Sequence, residues 1–200
     1  MYKLLGRQTS GNVQKVLFAL EEMGADYTRE DYGRTFGNTQ TAEYRSLNPT
    51  AKVPTLIDGD LVIWESNTIL RYLAATAAPH LTGDTPAERT QAERWMDFLI
   101  SAVNPGYVAT FKASKLAPED RPADFAATAK DVAAQCAIID AHIGNKSFIA
   151  LDRLTIADLA CAPILARCVG FEIDRPALPN LERWVGEMAA RPAFKAATGA

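Results

Sequence analysis

Strand and helix patterns alternate over the first part of the chain. Residues 2–5 form a short apolar run typical of a buried strand. Apolar residues then follow helical spacing, at Val13, Val16, Leu17, Leu20 and Met23. Ser10 or Asn12 is placed to cap the start of this helix, and Gly24 to end it. A second strand is predicted over residues 25–32, which completes a strand-helix-strand unit.

A polar connection and a hairpin follow. Residues 36–48 are only weakly periodic and predict a loop with one irregular helix at most. Two β-rich runs, 55–57 and 61–64, flank Asp58-Gly59-Asp60, which is a strong hairpin signal. Ser66 is placed to cap a helix that continues through Leu73. These elements predict a small mixed sheet with helices packed on it.

The pattern becomes entirely helical after Pro79. Helices are predicted over 86–115, 123–143, 155–169 and 180–190, with a short one after Pro192. Asn104-Pro105 could kink the first of them. Thr155 and Asp158 predict a capping box at the start of the third, so Thr155→Ala should cost ~1 kcal/mol or more of stability. A linker near 76–86 divides the chain into an α/β domain, residues 1–78, and an all-α domain, residues 86–200.

Composition narrows the class of protein. A hydrophobic fraction of 48% is ordinary for a globular protein, and a net charge of -3 gives no reason to expect a nucleic-acid partner. No apolar run approaches the ~18 residues that span a bilayer, and Arg7 precedes any signal-peptide core. We therefore expect a cytoplasmic protein without a membrane partner.

The cysteines and histidines are few. Cys136, Cys161 and Cys168 are odd in number and lack CxxC spacing, so buried free thiols are predicted, and neither disulfides nor a zinc site. His80 and His142 are predicted in a loop and on a helix surface. We expect no metal site.

Three polar features lie at the junctions between predicted elements. Ser10 and Asn12 stand at a helix start, where backbone N–H groups and the helix dipole stabilise an anion; alternatively, Ser10 only caps the helix. Lys52-Val53-Pro54 leads into a strand, and a cis Val53-Pro54 bond would expose a strand edge able to pair with a peptide-like ligand. The alternative is an ordinary proline at a strand entry.

The third feature is Glu65-Ser66, at the start of the helix after the hairpin. A hydroxyl, backbone amides and a carboxylate together match the headgroup of an α-amino acid. Alternatively, Ser66 is a capping serine beside a solvated glutamate. All three features are predicted at the same end of the α/β domain, as expected for an extended tripeptide site.

Five segments in this order resemble the glutathione S-transferase family. They are residues 10–16, 48–56, 65–69, 154–158 and 178–194. The resemblance implies a thioredoxin-like α/β N-terminal domain followed by an all-α helical domain, which is the glutathione S-transferase fold. It also implies a homodimeric transferase with a role in detoxification, glutathione as co-substrate, and no metal.

The resemblance also implies roles for individual residues. Val53 and Pro54 would present the strand edge to the cysteinyl part of glutathione, Glu65 and Ser66 would hold its γ-glutamyl end, and Lys52 its glycine carboxylate. Ser10 falls at the thiol-activating position of the serine-type classes, and Asn12 matches a second donor found in some relatives.

A hydrophobic electrophile is expected between the two domains. Its predicted walls are Trp95, Tyr107 and Phe111, although ordinary packing within the helical domain would explain each of them equally well. Three other functions stay open on the sequence. They are a glutathione-dependent disulfide reductase or peroxidase, an isomerase or dehalogenase acting on a small acid, and a non-catalytic glutathione-binding module.

Overall fold

The computed structural model describes all 200 residues, and its first part is an α/β domain. Its elements are β1 Tyr2–Leu5, α1 Gly11–Glu22, β2 Tyr27–Glu30, α2 Ala42–Leu47, β3 Thr55–Asp58, β4 Leu61–Trp64 and α3 Ser66–Ala77. The strand order is β2-β1-β3-β4. β1 runs parallel to β2 and antiparallel to β3, and β3 pairs with β4 in the predicted hairpin.

The rest of the chain is helical. Its elements are α4 Pro86–Phe98, a π-helical turn Leu99–Val103, α5 Asn104–Ala113, α6 Phe125–Ile143, α7 Ile156–Val169, α8 Pro179–Ala190 and α9 Pro192–Thr198. A thioredoxin-like α/β domain followed by an all-helical domain is the predicted fold class, which is confirmed. No helix is both long enough and apolar enough to cross a membrane.

The predicted helix over 86–115 differs from the structure in one respect. The π-helical turn Leu99–Val103 interrupts it directly before Asn104-Pro105. Proline has no N–H to donate to the carbonyl four residues earlier, so a regular α-helical ladder cannot continue through position 105. The wider π turn accommodates the interruption without ending the helix.

α1 is the element that both domains share. It packs against α3 of the first domain and against α7 and α9 of the second, so that even Gln14 and Lys15 are buried. A bidentate ion pair joins its C-terminal end to the start of α9, with Arg191 Nε and Nη2 lying 2.5 and 2.9 Å from the two carboxylate oxygens of Glu22. One hydrophobic core therefore extends through both domains.

Some local predictions are confirmed and others need correction. Thr155 and Asp158 form the predicted capping box, and the three cysteines are free and buried. Ser66 is the first residue of α3 and not its cap, because Glu65 holds the N-cap position. His80 is exposed in a short 3₁₀ turn. His142 lies on α6 as predicted and is half-buried, with its ring packed on Trp95.

Candidate functional site

The start of α1 leaves a hydroxyl free. Ser10 is the N-cap residue, and its carbonyl accepts a hydrogen bond from the Gln14 N–H at 2.9 Å. Its side chain makes no capping hydrogen bond, so the hydroxyl does not serve the helix. Ser10 lines a cavity of about 120 Å³ between the two domains. A free hydroxyl therefore lies where the positive end of the helix dipole favours an anion.

Gly11 lets the helical domain approach this helix start closely. A Cβ atom at position 11 would lie 2.7 Å from Ile164 Cδ1, 3.3 Å from the Tyr107 hydroxyl and 3.5 Å from Arg167 Nη1. The absence of a side chain therefore brings α5 and α7 against the first turn of α1. Sequence analysis assigned Gly11 no role, because a steric requirement of this kind depends on residues far along the chain.

A second cavity, of about 140 Å³, adjoins the first on the other side of Asn12. Asn12 and Asn104 line both cavities. The second is lined by all five residues predicted to bind glutathione, which are Lys52, Val53, Pro54, Glu65 and Ser66. The structure thus brings these five together with Ser10 and Asn12 along one groove.

The backbone of Val53 faces this groove without a partner. The Val53–Pro54 peptide bond is cis. Neither the N–H nor the C=O of Val53 forms a hydrogen bond within the chain, although β3 begins two residues later. An unpaired N–H and C=O on one residue at a strand edge can pair with the backbone of a peptide-like ligand.

A buried polar network holds the segment before Val53, and sequence analysis missed it. The carbonyl of Lys52 accepts hydrogen bonds from the Tyr44 hydroxyl at 2.7 Å and from Asn48 Nδ2 at 2.9 Å. Both of these side chains also contact Thr55 Oγ1 at 2.9 Å. Tyr44 and Asn48 are each 1% exposed. The network fixes the path of the strand edge, and one of its members, Asn48, also lines the second cavity.

Glu65 adopts a strained backbone conformation at the far end of the groove. Its φ of 69° lies in the left-handed region, which residues other than glycine adopt at a cost of about 1 kcal/mol or more. The side chain is exposed, whereas Ser66 is buried and its hydroxyl lies 3.5 Å from Asn12 Oδ1. Backbone strain of this kind concentrates at ligand sites, and here it places a free carboxylate beside the start of α3.

The three residues predicted to contact the electrophile separate into two groups. Tyr107 and Phe111, both on α5, line the first cavity. Trp95 does not line either cavity. Its ring packs on His142, with 4.2 Å between ring centroids, and edge-on to Phe98. Trp95 therefore belongs to the packing of the helical domain, and we do not carry it into the proposed site.

Arginine side chains reach the first cavity from both domains, and sequence analysis did not identify them. Arg167 of α7 donates hydrogen bonds to the Tyr107 hydroxyl at 3.0 Å, to the Thr9 carbonyl at 3.1 Å and to Gln14 Oε1 at 2.6 Å. Burial, together with repulsion from Arg34 and Arg167, lowers the pKa of Arg7. Burial raises the pKa of Tyr107, so its hydroxyl stays protonated near neutral pH.

Comparison with known proteins gives a consistent result. The family model described as the glutathione S-transferase N-terminal domain matches residues 2–75, and the C-terminal domain model of the same family matches residues 91–192. Glutathione S-transferase GstB of Escherichia coli is 35% identical over 200 residues, covering 98% of this chain and 96% of that protein. Glutathione S-transferase 3 of Zea mays is 31% identical, covering 96% and 91%.

Solved structures of similar proteins agree with the sequence relatives. The theta class glutathione S-transferase from Xanthomonas axonopodis pv. citri, in a crystal with glutathione bound, superposes with a TM-score of 0.94. It is 36% identical in sequence, and the match covers 100% of this chain and 97% of that one.

Proposed function

The chain belongs to the glutathione S-transferase family and is a transferase, and we propose that it binds glutathione along the groove from Lys52 to Ser66 and activates the thiol at the start of α1. The observation that carries this proposal is the junction of the two cavities at Asn12. On one side lie the unpaired backbone of Val53 and the Glu65-Ser66 pair, and on the other the free hydroxyl of Ser10.

The tripeptide would lie extended in the second cavity. Its cysteinyl N–H and C=O would pair with the free backbone groups of Val53. Ser66 and the first N–H groups of α3 would bind the γ-glutamyl carboxylate, and Glu65 its ammonium. Lys52 would bind the glycine carboxylate. The Xanthomonas relative, crystallised with glutathione bound, supports this use of the fold.

The thiol would be activated without a basic residue. A free thiol has a pKa of ~8.5, and lowering it to ~7 requires about 2 kcal/mol. A hydrogen bond to a charged group supplies about 1.5–3 kcal/mol, and a helix N-terminus about 0.3–1 kcal/mol more. The Ser10 hydroxyl, supported by Asn12 and the dipole of α1, is sufficient. The thiolate then attacks an electrophile held against Tyr107 and Phe111.

The remaining parts of the proposal concern the whole protein. Residues 1–78 would bind glutathione, and residues 86–200 would provide most of the electrophile site. We propose a homodimer located in the cytoplasm and acting in detoxification. No metal takes part in the proposed mechanism.

The pH dependence of turnover by Ser10→Ala tests the mechanism. We expect glutathione affinity to stay within a few-fold of the wild-type value, because Ser10 lies outside the second cavity. The pH at which turnover appears should rise by one unit or more, because the thiolate loses its main donor. Ser10→Thr keeps a hydroxyl and is the matched control. An unchanged pH profile, combined with loss of activity in Asn12→Ala, would assign the activating role to Asn12.

A second measurement separates the proposed transferase from its alternatives. Wild-type protein is assayed with an aromatic electrophile, a hydroperoxide and a mixed disulfide of glutathione. A preference for the electrophile supports conjugation. A preference for either of the other two favours a peroxidase or reductase. Glutathione binding without any lowering of its thiol pKa would favour a non-catalytic module.

A further inference from the structure

The cavity beside Ser10 concentrates positive charge in a protein whose net charge is -3. Arg7, Arg34, Lys112 and Arg167 line it, and no aspartate or glutamate does. None of these four side chains takes part in an ion pair within the chain. Like charges brought together without a counter-ion repel one another, so the arrangement favours an anion in the cavity.

Two of these cations, together with Lys115 from the neighbouring cavity, lie around an aromatic ring. Around Phe111, Lys115 Nζ lies 4.4 Å from the ring centroid, and the guanidinium carbons of Arg167 and Arg34 lie at 5.3 and 5.8 Å. The Tyr107 ring lies next to it, with 5.8 Å between the two centroids. The floor of the cavity is therefore aromatic and its rim is cationic.

The hydrogen bonds that hold these cations leave their charge unbalanced. Arg167 is held by three neutral oxygens, from Tyr107, Thr9 and Gln14. Arg7 Nε is buried and has no hydrogen-bond partner. A neighbouring cavity shares Arg7 and Arg34 with this one, and the only acidic side chain that lines it, Asp31, is paired with Arg29.

We propose that the electrophile conjugated at this site carries an anionic group, such as a carboxylate, on a planar body that rests on Phe111. The planar guanidinium forks suit a carboxylate, and the aromatic floor suits a ring. This inference rests on the proposed function and changes the expected substrate from a purely hydrophobic electrophile to an anionic aromatic one.

A matched pair of substrates isolates the charge. In 4-fluoro-3-nitrobenzoate the glutathione thiolate attacks the ring carbon that bears fluorine. A C–S bond forms, the C–F bond breaks, fluoride leaves, and the thiol proton passes to solvent. The methyl ester of the same acid reacts identically but is neutral. Each kcat/KM is divided by the uncatalysed rate constant with glutathione, since the ester is the more reactive compound.

For wild-type protein, kcat/KM divided by the uncatalysed rate constant should be larger for the acid than for the ester. This preference for the acid should weaken as the salt concentration is raised. Arg34→Gln and Lys112→Gln should each lower kcat/KM for the acid about threefold, and together about tenfold, since both side chains are exposed. The value for the ester should stay within twofold. Arg34→Lys keeps the charge, and Lys130→Gln removes a charge from the exposed face of α6; both should preserve the preference.

Three outcomes would overturn the inference: an equal or greater enhancement with the ester, equal losses for both substrates in the double variant, or a change confined to the KM for glutathione. The last outcome would mean that the cations bind a carboxylate of glutathione and not the electrophile. Turnover of the ester alone leaves the proposed transferase intact, whereas failure with both substrates contradicts the proposed function.

Discussion

Lys15 lies in the middle of α1, and only 2% of its surface is exposed. Burial lowers the pKa of its ammonium to about 8, and the carboxylate of Glu65 opposes this only in part. Its usual pKa is 10.5, so between pH 8 and 10.5 the unfolded chain binds more protons than the folded one. Stability therefore rises with pH across this range, and below pH 8 the buried charge carries its full cost.

We predict that Lys15→Met raises the free energy of unfolding at pH 7, by up to about 3 kcal/mol. The gain should shrink to about 1 kcal/mol at pH 9.5, because the wild-type lysine is then largely neutral in the folded state. Urea denaturation at the two pH values measures both quantities. Lys130→Met, at an exposed position, is the control and should change little at either pH. A loss of stability in Lys15→Met at pH 7 would contradict the prediction.

Gly11 permits a close approach that any side chain would prevent. Its added Cβ would meet Ile164 Cδ1 at 2.7 Å, and Ile164 is buried and has little room to move. We predict that Gly11→Ala costs about 1–3 kcal/mol of stability. It should also lower kcat/KM at least tenfold, because α5 and α7 move away from the start of α1.

Gly186 provides the matched control for Gly11. It lies within α8, and nothing comes within 4 Å of a Cβ added there. Alanine at this position should stabilise the protein by about 1 kcal/mol and leave turnover unchanged. Thermal unfolding and steady-state kinetics of the two variants, measured side by side, distinguish steric crowding from helix propensity. Normal activity and stability in Gly11→Ala would contradict the prediction. They would show that α5 and α7 can accommodate the added methyl group without loss of stability.

At the scale of elements, the start of α7 depends on a closed set of hydrogen bonds. Asp158 accepts from the Thr155 N–H at 2.9 Å, from the Thr155 hydroxyl at 3.1 Å and from the Ile149 N–H at 2.8 Å. Thr155 Oγ1 in turn accepts from the Ala157 N–H at 3.3 Å. Thr155 and Asp158 are fully buried. Loss of one member therefore leaves other polar groups unpaired, away from water.

We predict that Thr155→Ala lowers the free energy of unfolding by about 1–2 kcal/mol, because the hydroxyl acts both as cap and as donor to Asp158. Thr155→Ser should keep most of the stability, since it retains the hydroxyl. Urea denaturation measures both variants. Equal losses for alanine and serine would mean that the methyl group, and not the hydrogen bonds, stabilises the start of α7.

The elements that sequence analysis predicted well are those whose determinants lie close together in the chain. The capping box of α7 involves residues only three apart, and α1 ends before Gly24, whose φ is 60°. The role of Ser66 was predicted incorrectly because a serine one residue inside a helix has the same sequence context as a capping serine. Which of the two occurs depends on the strained conformation of Glu65.

Residues of the site were harder to predict when they come from distant parts of the chain. Ser10 and Asn12 fall within a local motif, whereas Arg167 reaches the cavity only because α7 packs on α1. Trp95 was predicted at the cavity together with Tyr107 and Phe111, which lie on the same interrupted helix. Its ring packs instead on His142 of α6, a contact between residues far apart in the chain, whereas Tyr107 and Phe111 line the cavity.

For the molecule as a whole, α1 joins the two domains into one packed body. It packs against α3 in the first domain and against α7 and α9 in the second. Phe18 of α1 is fully buried and meets Phe194 of α9 edge to face, with 5.4 Å between ring centroids. The Glu22–Arg191 ion pair joins the same two helices. If either domain unfolded alone, the face of α1 that packs on it would become exposed to water. We therefore expect the two domains to unfold together.

Phe18→Ala tests this coupling. We predict that it lowers the free energy of unfolding by about 3–5 kcal/mol and lowers the urea midpoints of both domains equally, since the cavity that it leaves is shared.

Tryptophan fluorescence can follow each domain separately. Trp64 lies in the sheet, whereas the other two tryptophans lie in the helical domain. In a Trp64→Phe variant, tryptophan fluorescence therefore reports the helical domain alone. Subtracting that signal from the fluorescence of the protein that retains Trp64 reports the sheet. We expect the urea transitions of the sheet and of the helical domain to coincide, both with and without Phe18→Ala, when measured at the same protein concentration. The prediction would be wrong if Phe18→Ala lowered the urea midpoint of the sheet and left that of the helical domain unchanged. That result would mean that α1 stabilises the first domain alone.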